Sequence, residues 1–232
     1  MLELEHASKL YESPGELIHA VQDVSMSVEA REFVAVFGPS GSGKTTLLLL
    51  AGGLLRADTG SVRFEDVELG ELSKREMLAY RRTKIGIVFQ GFNLTTGLSA
   101  AENVAIPLLL RGVPHREARR RALGALDDVG LLHRAAHTPD RLSGGEQQRA
   151  AIARALVGEP KLILADEPTG SLDSETGDAV LELLSELPRE RDAAAIVVTH
   201  DARVARYADR VLAMRDGRLV EPDLEGHPAL PG

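Results

Sequence analysis

Apolar positions follow three rhythms along the chain, and each predicts a different kind of element. From Met1 to Val28 apolar and polar residues largely alternate, with Leu2, Leu4, Ile18, Val21, Val24, Met26 and Val28 as the apolar positions. A period of two is the mark of strands with one buried face, so this stretch reads as antiparallel edge strands joined by a turn at Tyr11-Glu12-Ser13-Pro14-Gly15. Short unbroken apolar runs come next: Phe33–Phe37, Ile85–Phe89, Leu162–Ala165 and Ala195–Val198. Runs of this length suit strands buried on both faces, as in a parallel sheet covered by helices. Ser61–Phe64 predicts a further short strand after Gly60.

Helical spacing fills the intervals. Thr46–Ala51 reads as a helix ending near Gly52-Gly53, Glu71–Arg82 as a charged surface helix, and Asp178–Leu187 as a third. From Phe92 to about Ala155 the pattern is helical throughout. Within it, Ser99-x-x-Glu102 is a capping box, and Pro114 suits the first position of a helix whose Ala118, Ala122, Leu126 and Val129 share a face. Gln147–Leu156 predicts the last helix of the block. Val211–Met214 and Leu219–Val220 close the pattern as a hairpin around Asp216-Gly217, and the proline-bearing residues 221–232 read as a loose tail.

Strands alternating with helices predict an α/β fold with a parallel sheet. The helical block has α/β sequence on both sides, so it reads as a subdomain inserted into an α/β core: residues 1–91 and 156–220 form the core with its β subdomain, and 92–155 the insertion. At 232 residues the chain suits one such domain. Its net charge of −8 argues against a dedicated nucleic-acid binder. The basic clusters Lys74, Arg75, Arg81, Arg82, Lys84 and Arg116, Arg119, Arg120, Arg121 read as solvated faces. There is no cysteine, which removes disulfides, thiolate metal sites and cysteine nucleophiles from consideration. The N-terminal residues lack the apolar core of a signal peptide and no run is long enough to span a membrane, so any membrane role is expected to act through a partner.

The candidate chemistry begins at Gly38-Pro39-Ser40-Gly41-Ser42-Gly43-Lys44-Thr45, between the run Phe33–Phe37 and the helix that follows. Strand, glycine loop and helix are the setting that a G-x-x-x-x-G-K-[ST] phosphate loop requires. Glycines let consecutive N–H groups curl around an anion, and the helix N-terminus adds partial positive charge. Lys44 can then reach β- and γ-phosphates, and the Thr45 hydroxyl can ligate Mg²⁺. Lysine is scarce in this arginine-rich chain, which makes a lysine in that slot less incidental. Asp166-Glu167 follows the run Leu162–Ala165. A strand-end aspartate can hold Mg²⁺ or its waters, and a carboxylate one residue on, pointing elsewhere, can orient or deprotonate water.

Leu142-Ser143-Gly144-Gly145-Glu146-Gln147-Gln148-Arg149 adds a second anion site. Ser143-x-x-Glu146 is a capping box, but a cap alone needs no paired glycines; exposed N–H groups at Gly144-Gly145 make a helix N-terminus that can hold phosphate. One chain thus carries two phosphate-binding helix starts, and two half-sites from two chains can enclose one nucleotide.

With these segments in this order, the chain resembles the ATPase subunit of ABC transporters over about residues 1–220. Gly38–Thr46 resembles Walker A, Leu142–Arg149 the signature, and Leu162–Asp166 Walker B with Glu167 as the catalytic carboxylate. Gln90 matches the Q-loop glutamine, Ser171-Leu172-Asp173 the D-loop, His200 the switch histidine and Tyr11 the aromatic residue that stacks on adenine. The segments Ala165–Asp173 and Ile87–Leu94 are most similar to the branch serving lipoprotein release, macrolide and peptide export, and cell division. Where that branch usually continues after Asn-Leu with prolyl or leucyl residues, this chain has Thr95-Thr96-Gly97.

The resemblance implies a RecA-like P-loop core and a head-to-tail pair of ATPase subunits at the cytoplasmic face of a membrane, held there by a permease. ATP would lie among Tyr11, Gly38, Ser40, Gly41, Ser42, Gly43, Lys44, Thr45 and Thr46 of one chain and Ser143, Gly144 and Gly145 of the other, with Asp173 at the junction. Thr45, Gln90 and Asp166 would hold Mg²⁺, and Lys44, Gln90, Glu167 and His200 would serve hydrolysis. Phe92, Leu94 and Leu98 are candidates either for the permease contact or for core packing. A cell-division ATPase without transport is the alternative within the branch. A soluble ATPase of DNA repair or translation would need a coiled-coil insertion, a zinc module or tandem cassettes, none of which is in the sequence.

Overall fold

The computed structural model describes residues 1–13 and 16–220. The expected tail 221–232 and the Pro14-Gly15 part of the expected turn lie outside the described residues.

The N-terminal alternation becomes β1 (Leu2–Ser13) and β2 (Glu16–Val28), paired antiparallel from Leu2↔Val28 to Tyr11↔Ile18 and beyond. The ladder continues through Tyr11 and Glu12, so these two residues belong to the strand and not to the turn. β3 (Phe33–Phe37) leads through the glycine loop into α1 (Lys44–Ala51). β4 (Thr59–Phe64) and the short β5 (Val67–Glu68), which the hydropathy pattern does not announce, complete a four-stranded antiparallel sheet in the order β2-β1-β4-β5.

α2 spans Lys74–Lys84, not Glu71–Arg82: the Ser73–Glu76 capping box satisfies the first-turn N–H groups, and the residues before it form a 3₁₀ turn. β6 (Ile85–Val88) is followed by a non-helical loop from Phe92 to Leu98, where helix was expected. Phe92 and Asn93 are both left-handed, with φ of 57° and 49°, a conformation that cannot join a right-handed helix. The helices α3 (Ala100–Leu110) and α4 (His115–Asp128) follow, with Ser99–Glu102 capping the first. Pro114 is the N-cap of α4 and not its first residue.

α5 (Gly144–Leu156) starts three residues earlier than its apolar face because Ser143 caps it. β7 (Leu162–Asp166) leads to α6 (Ser174–Glu190), which starts before the expected Asp178 because the Asp173 carboxylate accepts from the Thr176 N–H. β8 (Ala194–Thr199), β9 (Arg210–Arg215) and β10 (Arg218–Val220) finish the described chain. The second sheet has six strands in the order β10-β9-β3-β8-β7-β6, parallel except for β10.

Parity along the parallel strands explains the unbroken apolar runs. Phe33 and Ala35, Ile163 and Ala165, and Ala195 and Val197 face a core built with α3, α4, α5 and α6. Their neighbours Val34 and Val36, Leu162 and Leu164, and Ile196 and Val198 face a second core shared with α1 and the four-stranded sheet. Both faces of the sheet are covered, so both parities must be apolar. The cores are the ordinary hydrophobic driving force of the fold, and they leave the strand C-termini free to present the loops where the candidate chemistry lies.

Asn103, fully buried in α3, organises the loop that replaced the expected helix. Its Oδ1 accepts from Thr95 N at 2.7 Å, and its Nδ2 reaches the carbonyls of Thr95, Leu98 and Ser99, each at 3.1 Å. Replacing it with alanine removes the partner of the Thr95 amide and of the Leu98 carbonyl, while the Thr95 and Ser99 carbonyls keep the backbone N–H groups of Leu98 and Asn103. Asn103→Ala should cost about 1–3 kcal/mol in urea unfolding, with the slope unchanged.

Candidate functional site

The phosphate loop is held by backbone from two other strands and one turn. Gly43, at φ 101°, caps α1, and a Cβ there would lie 2.0 Å from the Ala20 carbonyl of β2. A Cβ on Gly38 would lie 2.2 Å from the Met214 carbonyl of β9. From the β9–β10 turn, Gly217 N donates to the Ser42 carbonyl at 2.9 Å, while Gln22 N of β2 donates to the Gly217 carbonyl at 2.7 Å. At Gly43 only glycine fits both the close approach and the positive φ; at Gly38 the close approach alone requires it. Ser40 and Gly41 remain exposed at the tip of the loop, Ser42 Oγ is buried without a partner, and Thr46 continues α1.

Lys44 is 6% exposed, and its ammonium donates to the carbonyls of Gly38 at 2.8 Å and Pro39 at 3.0 Å, with Glu167 Oε1 3.8 Å away. The Thr45 hydroxyl donates to Asp166 Oδ2 at 3.0 Å. Burial pushes the Asp166 carboxyl above its usual range; the Thr45 bond and the Lys44 charge act against this, and the neighbouring Glu167 charge adds to it. Glu167 adopts a left-handed backbone, φ 45°, which turns its side chain away from that of Asp166. Its Oε2 accepts from the Thr199 hydroxyl at 2.8 Å and from His200 N at 3.3 Å, and His200 Nδ1 lies 2.9 Å from the same oxygen. Lys44, Thr45, Asp166, Glu167 and His200 therefore converge.

Gln90 is exposed and lies against the loop after β7, its Nε2 2.9 Å from where a Cβ on Gly170 would sit. No hydrogen bond joins Gln90 to Thr45 or Asp166 among the described residues. Tyr11 is 39% exposed on β1, its ring centroid 6.0 Å from the Lys9 ammonium. It pairs with Ile18, two residues from the Ala20 carbonyl that supports Gly43, so it sits on the strand pair beside the phosphate loop.

Ser143, Gly144 and Gly145 form a separate group. Ser143 Oγ accepts from Glu146 N at 3.3 Å, and Ser143 N donates to Glu146 Oε2 at 2.8 Å. That backbone bond, helped by Arg134 and opposed by partial burial, holds the Glu146 carboxyl below its usual range. A Cβ on Gly145 would lie 2.3 Å from Thr176 Cγ2, so the helix start is seated on the first turn of α6. Asp173 caps that turn, and the Thr176 bonds hold its carboxyl low. Among the described residues no hydrogen bond or ion pair joins Ser143–Gly145 to residues 38–45.

Sequence reasoning passed over three groups. Thr199, 1% exposed, bridges Glu167 and the Asp201 amide; a hydroxyl directly before His200-Asp201 was the available signal. Arg203 grips Asp201, and nothing local announces it. Arg154 of α5 donates to the carbonyls of Phe92, at 2.8 Å, and Asn93, bracing the loop just past Gln90. Phe92, Leu94 and Leu98 are partly buried, and Leu94 packs against the helical core.

As a place for a divalent cation, the centre offers Thr45 Oγ1 and Asp166 and little more, and no three acidic or histidine side chains among the described residues are arranged to hold a metal ion by themselves. That donor set suits Mg²⁺, which keeps waters and takes phosphate oxygens as further ligands. The raised Asp166 carboxyl is a charge that a cation would relieve.

A glycine loop between a parallel strand and a helix, with a lysine, a hydroxyl and two strand-end carboxylates around it, defines a P-loop nucleotide-binding protein. The profile of the family described as ABC transporter matches residues 21–170. The ATP-binding protein MJ0796 of Methanocaldococcus jannaschii is 44% identical over 94% of this chain and 95% of its own length. The lipoprotein-releasing system ATP-binding protein LolD 2 of Caulobacter vibrioides is 45% identical over 94% and 96%. A dimeric structure of MJ0796, described as a post-hydrolysis state bound to ADP and Pi, superimposes with a TM-score of 0.88 at 41% identity, covering 98% of this chain and all of that one. The chain belongs to the ABC transporter family and is an ATP-binding subunit of it, an ATPase.

Asp166→Asn keeps an acceptor for Thr45 and removes the disfavoured charge. A carboxyl whose pKa is raised on folding destabilises the fold as pH rises from about 4 through the folded value. Without nucleotide, the variant should melt higher than the parent at neutral pH, and the difference should vanish below about pH 4, as read by thermal melts across that range.

Proposed function

We propose that two copies of this subunit, or one copy and a close relative, enclose ATP head to tail, and that closing and opening of the pair powers a membrane permease that exports or extracts its cargo. The observation that carries this reading is the separation of the two anion-binding helix starts. Lys44 and Thr45 open α1 beside Asp166 and Glu167, whereas Ser143–Gly145 open α5 on α6, with no bond between the groups among the described residues. One chain therefore contacts a γ-phosphate from one side only, and a second chain supplies the other. Pairing of two subunits is supported by the two MJ0796 structures described as dimeric, one of them bound to ADP and Pi.

In this site Lys44 turns from the Gly38 and Pro39 carbonyls to the β- and γ-phosphates of ATP, beside the loop N–H groups that cradle them. Thr45 and Asp166, with Gln90, would hold Mg²⁺, which would supply positive charge to offset that of the phosphates. Glu167 orients the attacking water and takes its proton, held for that task by Thr199 and the His200 amide. His200 keeps water and γ-phosphate in line. Tyr11 stacks on the adenine, and Asp173 sets the junction between the two chains. Residues 92–155, as an inserted helical subdomain, carry Ser143–Gly145, and Gln90 passes the nucleotide state to the permease.

Export or extraction is favoured by the similarity to LolD 2, a lipoprotein-releasing system protein. No helix among the described residues is long and apolar enough to cross a membrane, and a permease would hold this subunit at the cytoplasmic face.

Lys44→Ala should lower steady-state hydrolysis ~100-fold or more; full turnover would refute the assigned phosphate role. Glu167→Gln should bind Mg-ATP and sediment as a dimer at saturating nucleotide, and a species that stays monomeric there would overturn the shared site. Affinity capture of the same variant from membranes with ATP should retrieve a polytopic permease.

A further inference from the structure

The Arg203 side chain ties three segments that are distant in sequence. Its Nε donates to Asp201 Oδ1 at 3.0 Å and its Nη2 to Asp201 Oδ2 at 2.6 Å, a two-pronged grip on the residue that follows His200. The same Asp201 Oδ2 accepts from the Thr169 hydroxyl at 2.9 Å, in the loop after β7. The other prong of the guanidinium, Nη1, donates to the Ser174 carbonyl at 2.6 Å and approaches Asp178 Oδ1 at 3.4 Å, both in the first turns of α6. Burial alone would raise the Asp201 carboxyl, but the bonds from Arg203 and Thr169 outweigh it and keep the group ionised. α6 makes room for the fork with a glycine: a Cβ on Gly177 would lie 2.9 Å from Nη2.

These contacts continue in both directions. Asp201 N donates to Thr199 Oγ1 at 3.0 Å, and Thr199 donates to Glu167 Oε2 at 2.8 Å. On the far side, Thr176, two residues from Ser174, is capped by Asp173 and sits beneath Gly145 of the other half-site. A continuous series of charge-assisted bonds and close packing therefore runs from the catalytic carboxylate to the helix start offered to a second chain.

We propose that Arg203 is a positioning residue that couples the chain's two half-sites, fixing the Ser143–Gly145 face relative to Glu167 and His200 so that ATP held on one side sets the other for docking. The bonds of Arg203 all go to Asp201, Ser174 and Asp178 of its own chain. Its effect is on how strongly bound ATP promotes association and not on ATP binding to the single chain. The inference rests on the shared-site reading above.

The test uses the full chain with Glu167→Gln as parent, because glutamine keeps an acceptor for Thr199 and stops turnover. Monomer affinity for Mg-ATP, the ATP-driven dimer constant by sedimentation and the melting temperature are measured for Arg203→Gln, Arg203→Lys and Gly177→Ala. Gly177→Ala leaves every bonding group present, improves helix propensity, and displaces only the fork. Arg203→Gln and Gly177→Ala are expected to weaken the dimer about tenfold while monomer affinity for Mg-ATP stays within about twofold. Arg203→Lys, which can still pair with Asp201 but cannot span to Ser174, should fall between them and the parent. The melting temperature of Gly177→Ala should not drop, which separates coupling from a loss of fold. An unchanged dimer constant in Gly177→Ala and Arg203→Gln, or an equal loss of monomer nucleotide affinity, would overturn the assignment. A parent that never dimerises would instead overturn the shared site itself, and the coupling with it.

Discussion

A phosphate loop must keep its own N–H groups free for an anion, so its shape has to be imposed from outside. Here the constraint is met by backbone: the Ala20 carbonyl presses on Gly43, the Met214 carbonyl on Gly38, and Gly217 donates to Ser42. Much of the architecture follows from that need. β2 of the antiparallel sheet, the parallel β9 and the terminal β9–β10 turn arrive at one point from different parts of the chain. Replacing water around an anion with fixed dipoles works only if those dipoles do not have to be reorganised on binding. Lys44 fits the same scheme, parked on two loop carbonyls and already beside Glu167.

Around this loop the charged groups are kept at different protonation tendencies by different surroundings. Asp166 is driven upward by burial next to Glu167, while Asp173, Glu146 and Asp201 are held low by backbone amides or by arginine. The disfavoured charge lies where a cation is called for, and the favoured ones cap helices or brace loops. Glu167 differs again: its left-handed backbone is the strained feature at the centre of the site, and it aims the carboxylate at Thr199 and His200 instead of at the cation position.

Much of this was legible in the sequence because the relevant signals are local. The apolar runs gave strands within a residue or two, since a sheet covered on both faces leaves no polar position to blur the pattern. The phosphate loop, Asp166-Glu167 and Ser143–Gly145 announced themselves by residue type and spacing. Helix starts were misjudged wherever a cap lies outside the apolar face, as at Ser73 and Asp173. The Phe92–Leu98 segment misled for a different reason: Asn103, in the first turn of the helix that follows, and Arg154, far along the chain, hold its carbonyls and override a helical pattern. Arg203 was illegible for the same cause, because its meaning depends on α6 coming to lie beside the loop after β8.

The alternation of β3, β7 and β8 between two cores reaches beyond stability. Adjacent residues such as Val34 and Ala35, or Leu164 and Ala165, answer to different neighbours on opposite sides of one sheet. Changes on the two sides share few contacts, and substitutions without shared partners combine nearly additively. The sheet thus acts as a partition between two evolutionary ledgers. The side packed against α3 to α6 and the side beneath the phosphate loop can each change one residue at a time, under its own separate constraints.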